Sequence, residues 1–529
     1  MQFLTVYPVK RAGDRRPVSL EGTAVAFMPP GTRNTGPMLL YFILFISLLV
    51  PGTAGSQQQY DQYDWVSYAD FHQVTDVTLG REEAYIATTG GVLRWNLYRQ
   101  SWEEPWVVVR GRTEAVDLRD ALNVDYITET NSVAVATAHG TYLYNPTAEY
   151  WEPGEHNFDL AVQGSIPGAI FLDPPGPLVS GRNYFQQGNN VIMDSQLRQH
   201  GLGPSATDDW GYQWVGVQGV GILRLDTRLL RGTLWELGLY GADVRDVIRG
   251  EGWTVLAGHN RNQGITFWKQ GQMIWDHLEA RYTAGLESVW INDLAVTGKW
   301  LLAATDAGLA QIDLKNGTSR MYTLFQGLWS NRSTAVAADE DTVWIGTENG
   351  LSVLDLAKKE VKRITTPDLA NRGVYTLAVD PEALWIGGEA GLYRLDRATG
   401  TGGWLEPEGG VAGPVYDLQV TPGEVIAGRF GGLEIIRKAD LEMAGFPAEA
   451  FLAGSSIQAV LALDSLVWVG TDRGLWKLDR PRNRWHQYTT RDGLISDEVT
   501  ALYPDGDHLL IGTPEGVTRF FWNDPTRGD

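Results

Sequence analysis

One sequence pattern recurs along most of this chain and constrains its fold more than any other feature. Its sharpest copies read VWIGTENGLSVLD at residues 343–355, LWIGGEAGLYRLD at 384–396 and VWVGTDRGLWKLD at 467–479. In each copy, two short apolar runs flank a tight turn that ends on glycine. A repeat of fixed period indicates that each unit buries its apolar face against the next unit.

The turn glycines of the later copies fix the period, because they lie 41 to 44 residues apart: Gly264, Gly308, Gly350, Gly391, Gly432, Gly474 and Gly516. Each unit also contains an apolar run before the glycine hairpin and a more polar run after it. Four short antiparallel strands in one period of about 42 residues are typical of a β-propeller blade.

Earlier units are less regular, and Gly91, Gly140 and Gly221 mark three of them. Because Gly140 and Gly221 are about two periods apart, we expect one further unit between them that includes residues 178–194. The sequence therefore predicts an all-β propeller protein with about eleven four-stranded blades. One ring usually holds four to eight blades, which favours two tandem propellers of five or six blades each.

The predicted domain organisation has three parts. Residues 1–55 form a leader with a signal peptide, whose apolar h-region is residues 38–50, MLLYFILFISLLV. That stretch is short for a membrane span, although an uncleaved anchor is the alternative. Residues 56–275 hold the divergent repeats of a first propeller and 276–529 the regular repeats of a second, with the boundary between 270 and 315.

A spare strand precedes the first blade. Trp65–Tyr68 (WVSY) matches residues 485–488 (WHQY), which form the fourth strand of a regular unit. The last unit, which ends near residue 522, has no room for its own fourth strand. The spare strand could pair with that unit and close its ring, or it could close the first propeller instead.

Composition limits the partners. The net charge of −21 disfavours nucleic acid and anionic membrane surfaces, and the chain contains no cysteine. We therefore expect an exported protein of the periplasm or cell surface, without an integral membrane domain after signal cleavage. A core of this size needs no disulfides.

The loops before the first strands and the hairpins between second and third strands should open on one face of a propeller. Asn and Arg recur there and could bind a carboxylated or hydroxyl-rich ligand, although polar loops can also be merely solvated. The predicted ligand-binding residues are Asn292, Trp329, Asn331, Arg332, Asn371, Arg372, Arg429, Phe430, His259 and Arg261.

Catalytic and metal-binding motifs are not recognisable in the sequence. The eight histidines follow no zinc spacing, and we expect no metal site and no cofactor. The acidic turns at 339–341 and 505–507 could hold Ca²⁺, but they read more simply as polar hairpins. Trp344, Trp385 and Trp468 share one repeat position and should pack between blades.

The WIGT-x-x-GL-x-x-x-D repeats resemble the two-component-regulator propeller repeats of bacterial periplasmic sensors. Residues 65–95 are also similar to the start of the tandem-propeller surface component of type IX secretion. The resemblance implies a propeller fold and an exported compartment, and it carries no catalytic residues. It favours a non-catalytic binding or sensing module for a protein or glycan ligand. The alternatives are a secretion scaffold and a polysaccharide lyase or hydrolase, which would need a carboxylate pair or a Tyr/His/Arg set.

Overall fold

The computed structural model describes the following residues: 60–61, 63–174, 179–188, 190–250, 252–259, 264–269, 272–283, 285–286, 290–405, 413–445 and 452–524. The predicted leader 1–55, with its apolar stretch 38–50, lies outside them. Within this part of the chain the regular structure consists of short β-strands and two 3-10 helices, at Ala280–Tyr282 and Leu324–Gln326. The predicted all-β class is confirmed.

The N-terminal part of the chain forms three propeller-type sheets and a small two-stranded ribbon. The first strand, β1, pairs with the last strand of the chain and not with these sheets. The strands are β1 (Trp65–Tyr68), β2 (Val74–Leu79), β3 (Glu83–Thr88), β4 (Gly91–Asn96), β5 (Ser101–Trp106), the ribbon β6 (Val108–Val109) and β7 (Val116–Asp117), β8 (Ala121–Ile127), β9 (Ser132–Thr137), β10 (Gly140–Asn145), β11 (Tyr150–Pro153), β12 (Phe171–Leu172), β13 (Tyr184–Gln186), β14 (Val191–Asp194), β15 (Gln199–Thr207), β16 (Tyr212–Val217), β17 (Gly221–Asp226) and β18 (Arg231–Glu236).

The remaining strands form seven further sheets of consecutive antiparallel strands. They are β19 (Asp246–Gly250), β20 (Trp253–Ala257), β21 (Gly264–Lys269), β22 (Ile274–Glu279), β23 (Ile291–Thr297), β24 (Trp300–Thr305), β25 (Gly308–Asp313), β26 (Ser319–Tyr322), β27 (Ser333–Asp339), β28 (Thr342–Thr347), β29 (Gly350–Asp355), β30 (Glu360–Arg363), β31 (Val374–Val379), β32 (Ala383–Gly388), β33 (Gly391–Asp396), β34 (Gly402–Leu405), β35 (Val415–Val420), β36 (Glu424–Arg429), β37 (Gly432–Arg437), β38 (Met443–Gly445), β39 (Ile457–Leu463), β40 (Leu466–Thr471), β41 (Gly474–Asp479), β42 (Arg484–Tyr488), β43 (Ala501–Asp505), β44 (His508–Thr513) and β45 (Gly516–Phe521).

The described sheets can be compared with the predicted number of blades, which stays a prediction. Among the described residues there are ten propeller-type sheets, whereas the glycine spacing predicted about eleven. The unit expected at 178–194 does not form its own blade. Its strands β13 and β14 extend the sheet of β15–β18, and β12 pairs parallel to β18 at the other edge. Two periods of sequence therefore contribute to one enlarged sheet.

The seven C-terminal sheets close into a ring. The first strands of successive sheets lie side by side from β19 to β43, and β43 lies beside β19 again. At the closing point the Thr500 hydroxyl donates to the carbonyl of Val244, and the Val244 N–H donates to Thr513 O at 2.9 Å. Arg249 and Asp505 form an ion pair across the same boundary, at 2.6 Å.

The three N-terminal sheets form a separate series in which β2 lies between β8 and β15. The described sheets therefore divide into seven and three, and not into two sets of five or six. Strands β19–β22 pack within the ring. The contacts between sheets therefore favour a boundary between the two sets of sheets that lies on the N-terminal side of β19. The predicted boundary at 270–315 and the segments 56–275 and 276–529 stay predictions.

Strand β1 closes the ring from the N-terminal end of the described chain. It pairs antiparallel with β45, with Trp65 opposite Phe520 and Tyr68 opposite Val517. Of the two pairings that the sequence allowed, the structure has the one with the last unit. The C-terminal sheet is thereby completed to four strands, in the order β1-β45-β44-β43.

The core lies between neighbouring sheets. Trp344, Trp385 and Trp468 are 7%, 1% and 0% exposed. Trp468, on β40, packs with Leu509 and Phe520 of the next sheet. The prediction that the repeat-position tryptophans are structural is confirmed, because each fills an interface that aromatic side chains stabilise by area and by ring contact.

Candidate functional site

The predicted ligand-binding residues that the structure describes lie in the seven-sheet ring, and three of them share contacts. Nε2 of His259 lies 2.8 Å from Oδ1 of Asn292. The Asn292 amide donates to Asp306 at 3.3 Å, and the Asp306 carboxylate lies 3.8 Å from Nε of Arg332. Trp290 stacks on the His259 ring with centroids 5.3 Å apart. This connected polar group spans three neighbouring sheets, those of β19–β22, β23–β26 and β27–β30.

Three other predicted residues, in the loops before β27 and β31, make local contacts. The guanidinium of Arg363 lies 5.1 Å from the ring centroid of Trp329. Oδ1 of Asn331 accepts the backbone N–H of Leu324 at 2.8 Å. Asn371 has a positive φ of 59°, which asparagine tolerates better than most residues. The local structure of the two loops therefore explains where these three side chains lie.

The remaining residues around the ring are also separate from one another. Arg372 lies 5.6 Å from the ring centroid of Trp404. Arg429 is buried and forms an ion pair with Glu434 at 2.6 Å, so its charge is balanced within its own sheet. Phe430 is 64% exposed at the hairpin tip.

Arg261 lies outside the described residues. The structure thus brings together His259, Asn292 and Arg332 and leaves the other described candidates apart. Their assignment to a ligand site stays a prediction.

A polar cavity of about 800 Å³ lies on the three N-terminal sheets. It is built from the same two kinds of loop that the sequence singled out, here before β2 and β8 and between the second and third strands. The hairpin between β44 and β45 also reaches it. The polar and charged lining residues are Asp70, His72, Gln73, Asp117, Arg119, Asp120, His139, Arg182, Tyr184, Arg198, His200, Glu236, Tyr240 and Glu515.

The floor of the cavity is an ion-pair network that begins at Arg182. This residue comes from the irregular segment between β12 and β13 and is 5% exposed. Its Nη1 donates to Oε2 of Glu236 at 2.6 Å, and its Nη2 donates to Oε1 of Glu279 at 2.5 Å. The network therefore joins the enlarged N-terminal sheet to β22 of the ring.

Arg198 extends the same network. Its two terminal nitrogens donate to the two carboxylate oxygens of Glu279 at 2.9 and 2.8 Å, and its Nε donates to Asp194 at 2.5 Å. Bidentate pairs of this kind are strong and fix side-chain orientation. Burial would raise the pKa of Asp194, but its hydrogen bonds from Arg198 outweigh that effect and lower the pKa.

Burial and charge also set the protonation of the cavity's other groups. Burial would raise the pKa of Glu236, but His277 and Arg182 beside the carboxylate hold the pKa well below its usual range. Burial and the Glu236 charge raise the pKa of Tyr184 well above its usual value. Burial and Glu279 raise the pKa of Tyr240 in the same way. Both phenols therefore stay protonated at neutral pH.

Two histidines face Glu236 from opposite elements. His72 precedes β2, and its Nδ1 lies 2.7 Å from Oδ1 of Asp70. His277 lies on β22, and its Nε2 lies 3.0 Å from the carbonyl oxygen of Gly238. The two rings meet edge to face at 5.0 Å. Burial would lower the pKa of His72, but the Asp70 carboxylate outweighs it and raises the pKa.

The cavity contains the Tyr/His/Arg set that the enzyme alternative required. Tyr184, Tyr240, His72, Arg182 and Arg198 all line it. A catalytic base must lose its proton near the working pH, and the raised pKa values of both tyrosines oppose that role. Both guanidiniums are already paired with carboxylates. The arrangement suits hydrogen bonding to a ligand better than proton abstraction.

The cavity is built from loops of the same two kinds as those predicted from the sequence, but in repeats where no ligand-binding residue was predicted. One signal was present: the interval between Gly140 and Gly221 breaks the period, and it supplies Arg182, Tyr184 and Arg198. Glu236 and Glu279, which pair with these arginines, belong to no sequence motif, because they lie on strands that are distant in the chain. Loops and insertions often carry function on a regular scaffold.

Within the described part of the chain, no helix is long and apolar enough to cross a membrane. No protein family matches the sequence. No curated protein matches it either.

Solved structures do resemble the chain, at low sequence identity. The extracellular domain of the hybrid two-component system BT4673 from B. thetaiotaomicron is 14% identical, with 86% of this chain and 70% of that chain covered and a TM-score of 0.46. PorZ, a surface component of the type-IX secretion system of Porphyromonas gingivalis, is 15% identical, with 85% and 74% covered and a TM-score of 0.45. The WD40 propeller domain of Doa1 is 11% identical, with 55% and 96% covered and a TM-score of 0.42. The structural neighbours therefore include both kinds of protein that the sequence motifs resemble.

Proposed function

We propose that this chain is an exported, non-catalytic binding module that takes a hydroxyl-rich ligand, a segment of glycan, in the cavity of the three N-terminal sheets. The observation that carries the proposal is the cavity itself, which is large enough for a small oligosaccharide and lined almost wholly by polar side chains. A protein ligand presenting a polar loop is the alternative occupant.

The charges of the cavity favour a neutral ligand. Its lining holds five carboxylates, from Asp70, Asp117, Asp120, Glu236 and Glu515, against three guanidiniums. The guanidiniums are paired, as in the bond from Arg119 Nε to Asp117 at 3.0 Å. A polyanion would meet surplus negative charge, whereas sugar hydroxyls both donate and accept hydrogen bonds and suit such a mixed surface.

Three residues at the mouth present side chains to the cavity without being part of its ion-pair floor. Gln73, Asp120 and His139 are exposed and belong to the loops before β2 and β8 and to the β9–β10 hairpin. They are suitable positions for variants, because their truncation removes ligand contacts and leaves the buried network in place.

A glycan array followed by calorimetric titration tests the proposal. We expect neutral oligosaccharides to bind, and the double variant Gln73→Ala/His139→Ala to bind them about 30-fold more weakly, since each of the two lost hydrogen bonds costs about 1 kcal/mol. The control is Arg332→Ala/Arg372→Ala in the ring loops, which should leave affinity unchanged.

The opposite pattern would place the ligand on the ring and contradict the proposal. A polysaccharide-acting enzyme is the second candidate, favoured by the Tyr/His/Arg set in the cavity. It would shorten the same glycans on incubation, whereas a binding module leaves their chain length unchanged.

A further inference from the structure

We propose that His72, Glu236 and His277 form a binding site for one divalent transition-metal ion, with zinc as the first candidate. Each residue offers one ligand atom, and the three atoms lie within 4.8 Å of one another. The residues come from three different sheets: the loop before β2, the end of β18 and the middle of β22. Their convergence is a property of the tertiary fold.

The hydrogen bonds of both histidines direct a lone pair into this site. Nδ1 of His72 faces the Asp70 carboxylate, which can only accept, so Nδ1 carries the proton and Nε2 the lone pair. Nε2 of His277 faces the carbonyl of Gly238, so Nδ1 of His277 carries the lone pair. A carboxylate or carbonyl behind the ring is the arrangement that orients metal-ligating histidines.

Both inward-facing nitrogens are buried and unsatisfied. Among the described residues, neither Nε2 of His72 nor Nδ1 of His277 has a hydrogen-bond partner. The two side chains are 10% and 0% exposed. Buried polar atoms are rarely left unpaired, because each costs roughly 1–3 kcal/mol. An ion between the two rings would satisfy both.

The spacing of the site suits tetrahedral zinc. With Zn–N and Zn–O distances near 2.0 Å, neighbouring ligand atoms lie about 3.3 Å apart. Nδ1 of His277 is 3.5 Å from Oε2 of Glu236. Arg182 donates to the same Oε2, but a carboxylate offers about four lone-pair positions and can serve a guanidinium and an ion together.

The charge around the site is negative before any ion binds. Asp194, Glu236 and Glu279 pair with Arg182 and Arg198 in one network, and Asp70 lies beside it, paired with His72. These groups together carry two negative charges in excess when both histidines are neutral. A buried excess charge is costly unless it is compensated. One divalent cation compensates it.

The donor set selects the class of ion. Two imidazole nitrogens and one carboxylate suit Zn²⁺ and similar transition metals, whereas Ca²⁺ and Mg²⁺ prefer oxygen donors. Three protein ligands leave a fourth position, and His72 and Glu236 both line the cavity on that side. The sequence predicted no metal site, because the three residues are far apart in the chain and follow no motif spacing.

Zinc titration of the full chain, freed of metal with a chelator, tests the inference without any glycan. We expect one zinc equivalent to bind near pH 7.5 with high affinity and to raise the melting temperature, because the ion binds the folded state only. X-ray absorption of the bound zinc should show two imidazoles, a readout that needs no variant.

Variants then locate the ion. His72→Gln should weaken zinc binding about 100-fold, and Asp70→Asn, which alters the group behind His72, about tenfold. The matched control His139→Ala removes an exposed histidine from the same cavity and should leave the zinc affinity unchanged. This test is independent of the glycan proposal, which can fail while zinc binds.

Two results would overturn the inference. The first is the absence of stoichiometric zinc binding to the unmodified chain, which would mean that protonated histidines balance the carboxylates. The second is zinc binding of unchanged affinity in His72→Gln, or an absorption spectrum without imidazole ligands, which would place the ion elsewhere.

Discussion

At the residue scale, buried aspartates connect neighbouring blades. Asp246, Asp293 and Asp417 occupy one position in the first strands β19, β23 and β35. In each, Oδ2 accepts a backbone N–H from the first strand of the next sheet at 2.7 Å. Oδ1 accepts the N–H of the following residue in the same strand. Each carboxylate thus satisfies backbone donors that the bulged strands leave free.

Asp417 makes this role sensitive to pH. Burial, with a contribution from the Asp246 charge, raises the pKa of Asp417 to about 6. The folded state then holds a proton that the unfolded chain releases above about pH 4. The protonated Asp417 carboxyl therefore stabilises the folded state below about pH 4, and this stabilisation is lost as the pH rises through about 6.

Asp417→Asn should therefore gain stability relative to the unmodified chain as the pH rises. The amide keeps an oxygen acceptor for the Val460 N–H and carries no charge. Between about pH 4.5 and pH 7.5 we expect the difference in unfolding free energy to shift by about 2 kcal/mol in favour of the variant. Urea unfolding at both pH values measures it.

The exposed Asp209 provides the control for that experiment. Asp209→Asn should leave the difference in unfolding free energy the same at both pH values. A pH-independent effect of Asp417→Asn would show that the Asp417 carboxyl titrates at the same pH in the folded and unfolded chain.

At the scale of elements, the fourth strand explains the turn glycine in several units. A Cβ on Gly474 would lie 2.4 Å from the carbonyl oxygen of Tyr488, at the end of β42. A Cβ on Gly516 would lie 2.5 Å from the carbonyl oxygen of Tyr68, at the end of β1. Both glycines also have positive φ, at 110° and 148°. Strand β1 therefore occupies the place of a fourth strand in the last blade.

The packing of Trp65 indicates how much this closing strand stabilises the ring. Its ring stacks on Phe520 with centroids 3.8 Å apart, and it is 4% exposed. We expect Trp65→Ala to lower the free energy of unfolding by about 3–5 kcal/mol, the usual cost of truncating a buried large aromatic side chain. The urea midpoint of the chain measures this loss.

Phe325→Ala is the matched control, since Phe325 is 93% exposed and its truncation leaves no cavity. Its urea midpoint should equal that of the unmodified chain. If Trp65→Ala behaved like Phe325→Ala, β1 would not hold the last blade in place.

The strands were predictable from the sequence because their signals are local. A hairpin glycine and an alternating run such as 351–354 suffice to place a strand pair, and the match between Trp65–Tyr68 and 485–488 identified the closing strand. The count of about eleven blades stays a prediction, and among the described residues β13 and β14 pair at the edge of the sheet of β15–β18. Nothing local distinguishes an added edge hairpin from a degraded blade.

At the scale of the whole molecule, the regular and the irregular repeats form different parts of the structure. The regular repeats form a closed ring, and of the described candidates in it, His259, Asn292 and Arg332 are brought together. The irregular repeats, with the segment that carries Arg182 and Arg198, form the cavity and its buried charges. The site could not be predicted from spacing, because its residues converge only after the N-terminal sheets and β22 pack together.

Hydrogen–deuterium exchange with and without a glycan selected from the array shows whether the ligand binds on the three N-terminal sheets. We expect the bound glycan to slow exchange in the loops 69–73 and 117–120 and in the hairpin at His139, and to leave loops 331–332 and 371–372 unchanged. Slowed exchange confined to 331–332 and 371–372 would show that the ligand binds on the ring and not in the cavity.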